Sequence, residues 1–186
     1  DALTLLVDEK LVRQSLVMPF RFTTALEAVT AANLPRSSDV LAALSRAVDL
    51  SLRNVPKFPG RTLIALDSSG SMMGRPLKIG ALLAATLVKA NDADLMLFSS
   101  DAVYLPLNRT DSTLTLAKFI EGKAEAASTN FHAIFQRARS AYDRVIILSD
   151  MQGWVGHDTP VKAYEAWKTR YGADPKVFSF DLNGYG

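Results

Sequence analysis

The hydrophobic positions in the first part of the chain have the spacing of α-helices. Two sets recur every three or four residues, which places each set on one face of a helix. These sets are Phe22, Ala25, Leu26 and Val29, and then Leu41, Leu44, Val48 and Leu52. Pro35 followed by Ser37 indicates the start of the second helix, and two prolines and a glycine in 54–60 interrupt the pattern. We therefore predict a helical part, residues 1–55, followed by a second domain, residues 56–186.

After Gly60 the pattern changes to short, almost continuous hydrophobic runs. They cover 63–66, 95–98, 145–148 and 177–180. Runs of this length with little alternation are typical of strands that are buried on both faces of a parallel sheet. Amphipathic stretches between the runs predict four helices. The first covers 75–90 and the second runs from Ser112 to a stop at Gly122. The third has a hydrophobic face of Phe131, Ile134, Phe135, Ala138 and Tyr142, and the fourth has one of Val161, Tyr164, Trp167 and Tyr171, with Thr159 as its cap and Pro160 in its first turn.

One further strand has a different direction. Residues 102–107 follow the second run after only three residues, which is too short for a crossover, so the two strands form an antiparallel hairpin. Pro106 marks the second of them as an edge strand. The predicted fold is α/β: an open, mostly parallel sheet with one antiparallel edge strand and helices on both faces.

Composition narrows the function classes. The chain has 186 residues, 48% of them hydrophobic, which excludes disorder as the main state. The net charge of +2 gives no electrostatic argument for binding nucleic acid or a membrane. The absence of cysteine excludes disulfides and thiolate metal sites, and no run is long enough to span a bilayer. Because the chain begins at Asp1 without a signal segment, we expect an internal fragment of a cytoplasmic protein.

Acidic and hydroxyl residues follow each hydrophobic run. They are Asp67-Ser68-Ser69-Gly70-Ser71, Ser99-Ser100-Asp101, Ser149-Asp150 and Asp181. Ligands of open α/β sheets bind at the carboxyl ends of the strands, so these side chains predict a site there. Carboxylate and hydroxyl oxygens suit a hard cation such as Mg²⁺. An ion held by few carboxylates keeps a position for an anionic oxygen from outside.

The segment Asp67-Ser68-Ser69-Gly70-Ser71 resembles the Asp-x-Ser-x-Ser motif of von Willebrand factor A (vWA) domains, which forms their metal-ion-dependent adhesion site (MIDAS). The family's threonine corresponds to Thr129, and its later aspartate to Asp150, which follows the next core strand. The resemblance implies that Ser69 and Ser71 bind the ion directly, Thr129 directly or through water, and the two aspartates largely through water. The paired glycines that often precede the threonine are missing, and the chain ends about one strand and one helix short of such a domain.

A narrower resemblance covers essentially the whole chain. The segments 8–11, 18–22, 39–53 and 61–67 are similar to the Ro (TROVE-domain) family, in which a ring of HEAT-like helical repeats precedes a vWA domain. It implies that residues 1–55 are the last ring helices. Ro proteins are not enzymes; they bind small noncoding Y RNAs and act in RNA quality control, mainly through the ring. The resemblance therefore implies RNA as a partner, and an acidic or phosphate group, from RNA or from a protein partner, at the metal.

Other interpretations of the same residues stay open. The motif turn is also compatible with a polar helix cap, Thr129 with an N-cap, and Asp150 with bonds to its own loop. A serine hydrolase would need His132 or His157, but the glycine and serine spacing of an elbow is missing. A Mg²⁺-dependent phosphatase or phosphotransferase with Asp67 as nucleophile is the stronger enzymatic alternative.

Two residues near the predicted site are candidate ligand contacts. Asn130 lies beside Thr129, and Trp154 lies between two glycines after Asp150. An exposed tryptophan there would stack on a base or a partner side chain, and a buried one would pack under its loop. A third possibility keeps the fold without a metal, as a module that only stabilises the ring.

Overall fold

The structure, a computed structural model, describes residues 2–32, 35–153 and 159–184. The helices are α1 (Ala2–Leu6), α2 (Glu9–Ser15), α3 (Thr23–Ala32), α4 (Ser37–Ser51), α5 (Arg75–Ala90), α6 (Thr113–Glu121), α7 (His132–Arg137) and α8 (Pro160–Tyr171). The strands are β1 (Thr62–Asp67), β2 (Ala93–Phe98), β3 (Ala102–Tyr104), β4 (Arg144–Ser149) and β5 (Lys176–Asp181). No helix of these residues is long and apolar enough to cross a membrane.

The five strands form one sheet in the order β3-β2-β1-β4-β5. β1 pairs in parallel with β2 and β4, β4 pairs in parallel with β5, and β2 pairs antiparallel with β3. The structure thus confirms the predicted fold class, including its antiparallel edge. Leu66 lies opposite Leu148, so the ends of β1 and β4 are level.

The central strands are continuous hydrophobic runs because helices cover both faces of the sheet. Ile64 and Leu66 belong to a buried cluster with residues of α5 and α6, whereas Leu63 and Ala65 belong to a cluster with residues of α7 and α8. Fully burying one large aliphatic side chain contributes about 1.5–3 kcal/mol. The two clusters therefore stabilise the positions of the central strands relative to the helices on both faces of the sheet.

β5 differs from its prediction. A strand forms over the predicted run, but all six of its residues are exposed, with Val177, Phe178 and Phe180 at 44–48%. The physical reason is that β5 contacts mainly β4 among the described residues, and no helix of that part of the chain packs extensively over its faces. The prediction that this run is buried on both faces was therefore wrong.

Two other predicted elements are shorter in the structure. α7 ends at Arg137, and Ala138 has extended backbone angles, so Ala138 and Tyr142 are buried without belonging to the helix. The Tyr142 hydroxyl donates a hydrogen bond to Asp94 Oδ2 over 2.7 Å. β3 ends at Tyr104, before Pro106, whose ring cannot donate to the ladder.

The N-terminal helices pack on the α5–α6 side of the sheet. Asp49 of α4 accepts bonds from the backbone nitrogen and Oγ1 of Thr113 over 2.9 and 2.6 Å, and Lys89 lies 3.3 Å away. Phe22 and Leu26 contact the hydrophobic cluster that contains Leu66. The division of the chain at 55/56 stays a prediction, since side chains from both parts share this cluster.

Candidate metal site

The site is built on the turn that follows β1. Asp67 is the last residue of β1, and a 3₁₀ turn, Gly70–Met72, comes three residues later. The Ser69 backbone nitrogen donates to Asp67 Oδ1 over 2.9 Å, so the carboxylate stabilises its own turn. Ser69 Oγ and Ser71 Oγ lie 3.3 Å apart. Asp67 and Ser69 are buried and Ser71 is exposed, so the turn runs from the interior to the surface.

The loop that carries Thr129 is bonded to this turn. The Ala126 backbone nitrogen donates to the Ser68 carbonyl over 3.1 Å, and the Gly70 nitrogen donates to the Ala127 carbonyl over 2.9 Å. A Cβ at Gly70 would lie 3.4 Å from the Ala126 carbonyl oxygen, so the two backbones are close. Thr129 lies two residues after Ala127 in this loop and is buried.

Asp150 is joined to the turn through its neighbour. Ser149 Oγ donates to Asp67 Oδ2 over 2.6 Å. The Asp150 carboxylate accepts from the Gln152 nitrogen over 3.1 Å and from Asn183 Nδ2 over 3.5 Å.

The loop after β4 also reaches Thr129. A Cβ at Gly153 would lie 3.2 Å from Thr129 Cβ and 3.3 Å from its Oγ1. Because Gly153 has φ of +100°, glycine is favoured there on both counts. The carboxyl ends of β1 and β4 and the Thr129 loop therefore meet at one place.

The charges of the site favour a cation. Asp67 and Asp150 are both buried, and neither forms an ion pair with a lysine or arginine in the described part of the chain. Burial raises the pKa of Asp67 above its ordinary value, the hydrogen bonds from Ser149 and Ser69 oppose that rise, and the Asp150 charge adds to it. Two buried carboxylates in such surroundings are stabilised by a positive ion.

The donor set fits a hard cation. Over the ranges 2–32, 35–153 and 159–184, no group of three or more histidines, aspartates or glutamates is placed to hold a metal. The site has two carboxylates and the hydroxyls of Ser69, Ser71 and Thr129, all oxygen donors. Mg²⁺ is bound in proteins by one or two carboxylates with waters and other oxygens, and the two carboxylates and three hydroxyls of this site fit that preference.

Of the two candidate ligand contacts, the structure describes Asn130 but not Trp154. Asn130 is half-buried, its Nδ2 donates to the Ser100 carbonyl over 3.1 Å, and its Oδ1 accepts from the His132 nitrogen over 3.1 Å. Its side chain thus connects the loop after β2 to the first turn of α7. Trp154 lies outside the described residues, as does His157.

Sequence analysis missed two residues that contact the carboxylates. The sequence predicts Ser149 only as part of a polar strand end, and its position level with Asp67 follows from the pairing of β1 with β4. Asn183 lies after β5, and nothing in the local sequence separates it from an ordinary turn residue. Both contacts depend on which strands are neighbours.

Comparison with known proteins adds evidence on the fold. No protein-family model matches the chain. The crystal structure of the Ro (RSR) protein of Deinococcus radiodurans superimposes with a TM-score of 0.78 over 100% of this chain, at 21% identity. The chain has the fold of a part of that protein. It spans 41% of that Ro protein's length, and at this identity the likeness concerns the fold alone. An aerotolerance-related membrane protein from Bacteroides fragilis matches 63% of the chain at 19% identity, with a TM-score of 0.44, which is too low to support a structural conclusion.

Proposed function

We propose that this chain is the vWA domain of a Ro-like protein, with adjoining ring helices, and that it binds one divalent cation, Mg²⁺ in the cell. The cation would be held by Asp67, Ser69, Ser71, Thr129 and Asp150. The observation that supports the proposal is that the Asp67 turn, the loop that carries Thr129 and the strand end that carries Asp150 are hydrogen-bonded together at one sheet edge. The two buried carboxylates there have no lysine or arginine partner among the described residues.

The serine hydroxyls and the Asp67 carboxylate would contact the ion in different ways. The exposed Ser71 hydroxyl and the adjacent Ser69 hydroxyl would contact the ion directly. Each oxygen of Asp67 already accepts one hydrogen bond from the protein, and a carboxylate oxygen has about two lone-pair sites, so one site per oxygen is left for water or the ion. When bound, the ion supplies a positive charge that attracts an anionic oxygen, from a carboxylate or a phosphate, of a partner.

The geometry favours binding over catalysis. A phosphotransferase would need an accessible oxygen on Asp67 to attack phosphorus, but the Asp67 side chain is fully buried. The position two residues later, where such enzymes place a second acid, is Ser69. We therefore propose a non-enzymatic adhesion site.

RNA is the proposed partner of the whole protein. The fold shared with a Ro protein supports this, together with the sequence resemblance over residues 8–67. Because the resemblance to Ro proteins implies that RNA binds mainly through the ring, we propose that Y RNA contacts the ring rather than this domain, and that the protein acts in RNA quality control in the cytoplasm.

Isothermal titration of the chain with Mg²⁺ tests the proposal. We expect one binding site in the unsubstituted chain and none in Asp67→Ala. Asp101→Ala is the matched control, since Asp101 is an exposed aspartate that bonds to Arg137, and it should bind Mg²⁺ normally.

Two results would contradict the proposal: no heat of binding in the unsubstituted chain, or unchanged binding in Asp67→Ala. Hydrolysis of p-nitrophenyl phosphate at high protein concentration tests the enzymatic alternative, and we expect no turnover. The third possibility, a metal-free module that only stabilises the ring, predicts no heat of Mg²⁺ binding in the unsubstituted chain.

A further inference from the structure

The Ser149 hydroxyl lies between the two halves of the site. Ser149 is the last residue of β4 and is completely buried. Its Oγ donates to Asp67 Oδ2 over 2.6 Å and accepts from the Met151 backbone nitrogen over 3.0 Å. Because a backbone N–H can only donate, the single hydroxyl hydrogen is directed to Asp67. The bond to the carboxylate is short and charge-assisted, which makes it one of the stronger bonds of the site.

The same hydroxyl shapes the turn that presents Asp150. Met151 has φ of +57°, in the left-handed region that residues other than glycine rarely adopt. The bond from its nitrogen to Ser149 Oγ spans two residues and closes a turn around Asp150, which lies between them. One buried oxygen atom thus contacts the Asp67 side chain and the backbone on the far side of Asp150.

We propose that Ser149 is a positioning residue, which fixes the Asp67 and Asp150 carboxylates relative to each other for the cation. This rests on the proposed function. Mg²⁺ demands nearly ideal octahedral geometry, whereas Ca²⁺ accepts irregular coordination. Loss of the hydroxyl would therefore weaken Mg²⁺ binding more than Ca²⁺ binding.

The test compares Ser149→Ala with Thr86→Val in the 186-residue chain. Thr86, in α5, also has a buried hydroxyl, but this one has no hydrogen-bond partner among the described residues. Titration calorimetry should give a Mg²⁺ affinity about 10–100-fold lower for Ser149→Ala, a smaller loss for Ca²⁺, and wild-type affinities for Thr86→Val. Circular dichroism without metal establishes that each variant is folded.

A folded Ser149→Ala that binds Mg²⁺ within twofold of wild type overturns the positioning role. So does an equal loss for both ions, which would indicate general damage. If Ser149→Ala does not fold, Ser149→Cys keeps a side chain of similar shape with a weak donor, and the same two criteria apply. Absence of Mg²⁺ binding in the unsubstituted chain would instead refute the proposed function, and the positioning role with it.

Discussion

Replacing Asp67 by asparagine should have opposite effects with and without metal. The substitution keeps the shape of the side chain: its oxygen can accept from the Ser69 nitrogen, and its amide can donate to Ser149 Oγ once the Ser149 hydroxyl hydrogen, which Asp67 accepted, turns away. It removes one of two buried negative charges. Since burial raises the pKa of Asp67, the folded chain carries this charge less readily than the unfolded chain, so the ionised group lowers the free energy of unfolding at neutral pH. In EDTA the asparagine variant should therefore melt at a higher temperature than wild type.

Magnesium should reverse the order. An ion at 100 times its dissociation constant stabilises the fold by about 2.7 kcal/mol. For a chain of this size, 1 kcal/mol shifts Tm by about 2–4 °C, so the wild type should gain about 5–11 °C and the asparagine variant almost nothing. Differential scanning calorimetry in EDTA and in Mg²⁺ measures both effects. An asparagine variant that melts below wild type in EDTA, or that keeps the Mg²⁺ shift, would contradict this prediction.

Three further predictions concern other positions. Gly153→Ala should weaken Mg²⁺ binding in calorimetry, because its Cβ would press on Thr129, whereas Gly172→Ala, also at positive φ but with open space, should not. Gly80→Ala should lower the free energy of unfolding by about 1–3 kcal/mol in urea despite alanine's better helix propensity, because its Cβ would lie 2.6 Å from a leucine methyl carbon of β1. Burial raises the pKa of Tyr142, so the contribution of Tyr142 to stability should be constant below about pH 10, where unfolded tyrosine ionises, and fall above it. Urea midpoints at pH 9–11 should show a smaller fall for Tyr142→Phe.

Much of the fold could be predicted because the patterns are local. The buried runs of β1, β2 and β4 and the helix α5 follow from hydrophobic spacing alone. The exposure of β5 could not be predicted in this way, because Val177 and Phe178 have the same pattern as buried strand residues. Their burial depends on what lies beside the strand.

For the site too, the residues that are close in sequence could be predicted, and those brought together by the fold could not. Asp67, Ser69 and Ser71 are close in sequence, and the rule that ligands bind at strand ends was enough to single them out. Thr129 came from the family resemblance, and the structure shows that the loop that carries it is bonded to the same turn through Ala126 and Ala127. The roles of Ser149, Asn183 and Asn130 depend on side-chain directions across neighbouring strands and loops, which no local pattern contains.

The most direct test of the account is an anomalous difference map from crystals of this chain grown with Mn²⁺ as a substitute for Mg²⁺. We expect a single strong peak within coordination distance of the Ser69 and Ser71 hydroxyls, next to Asp67, Thr129 and Asp150. A map without a peak there, or with its peak elsewhere on the molecule, would contradict it.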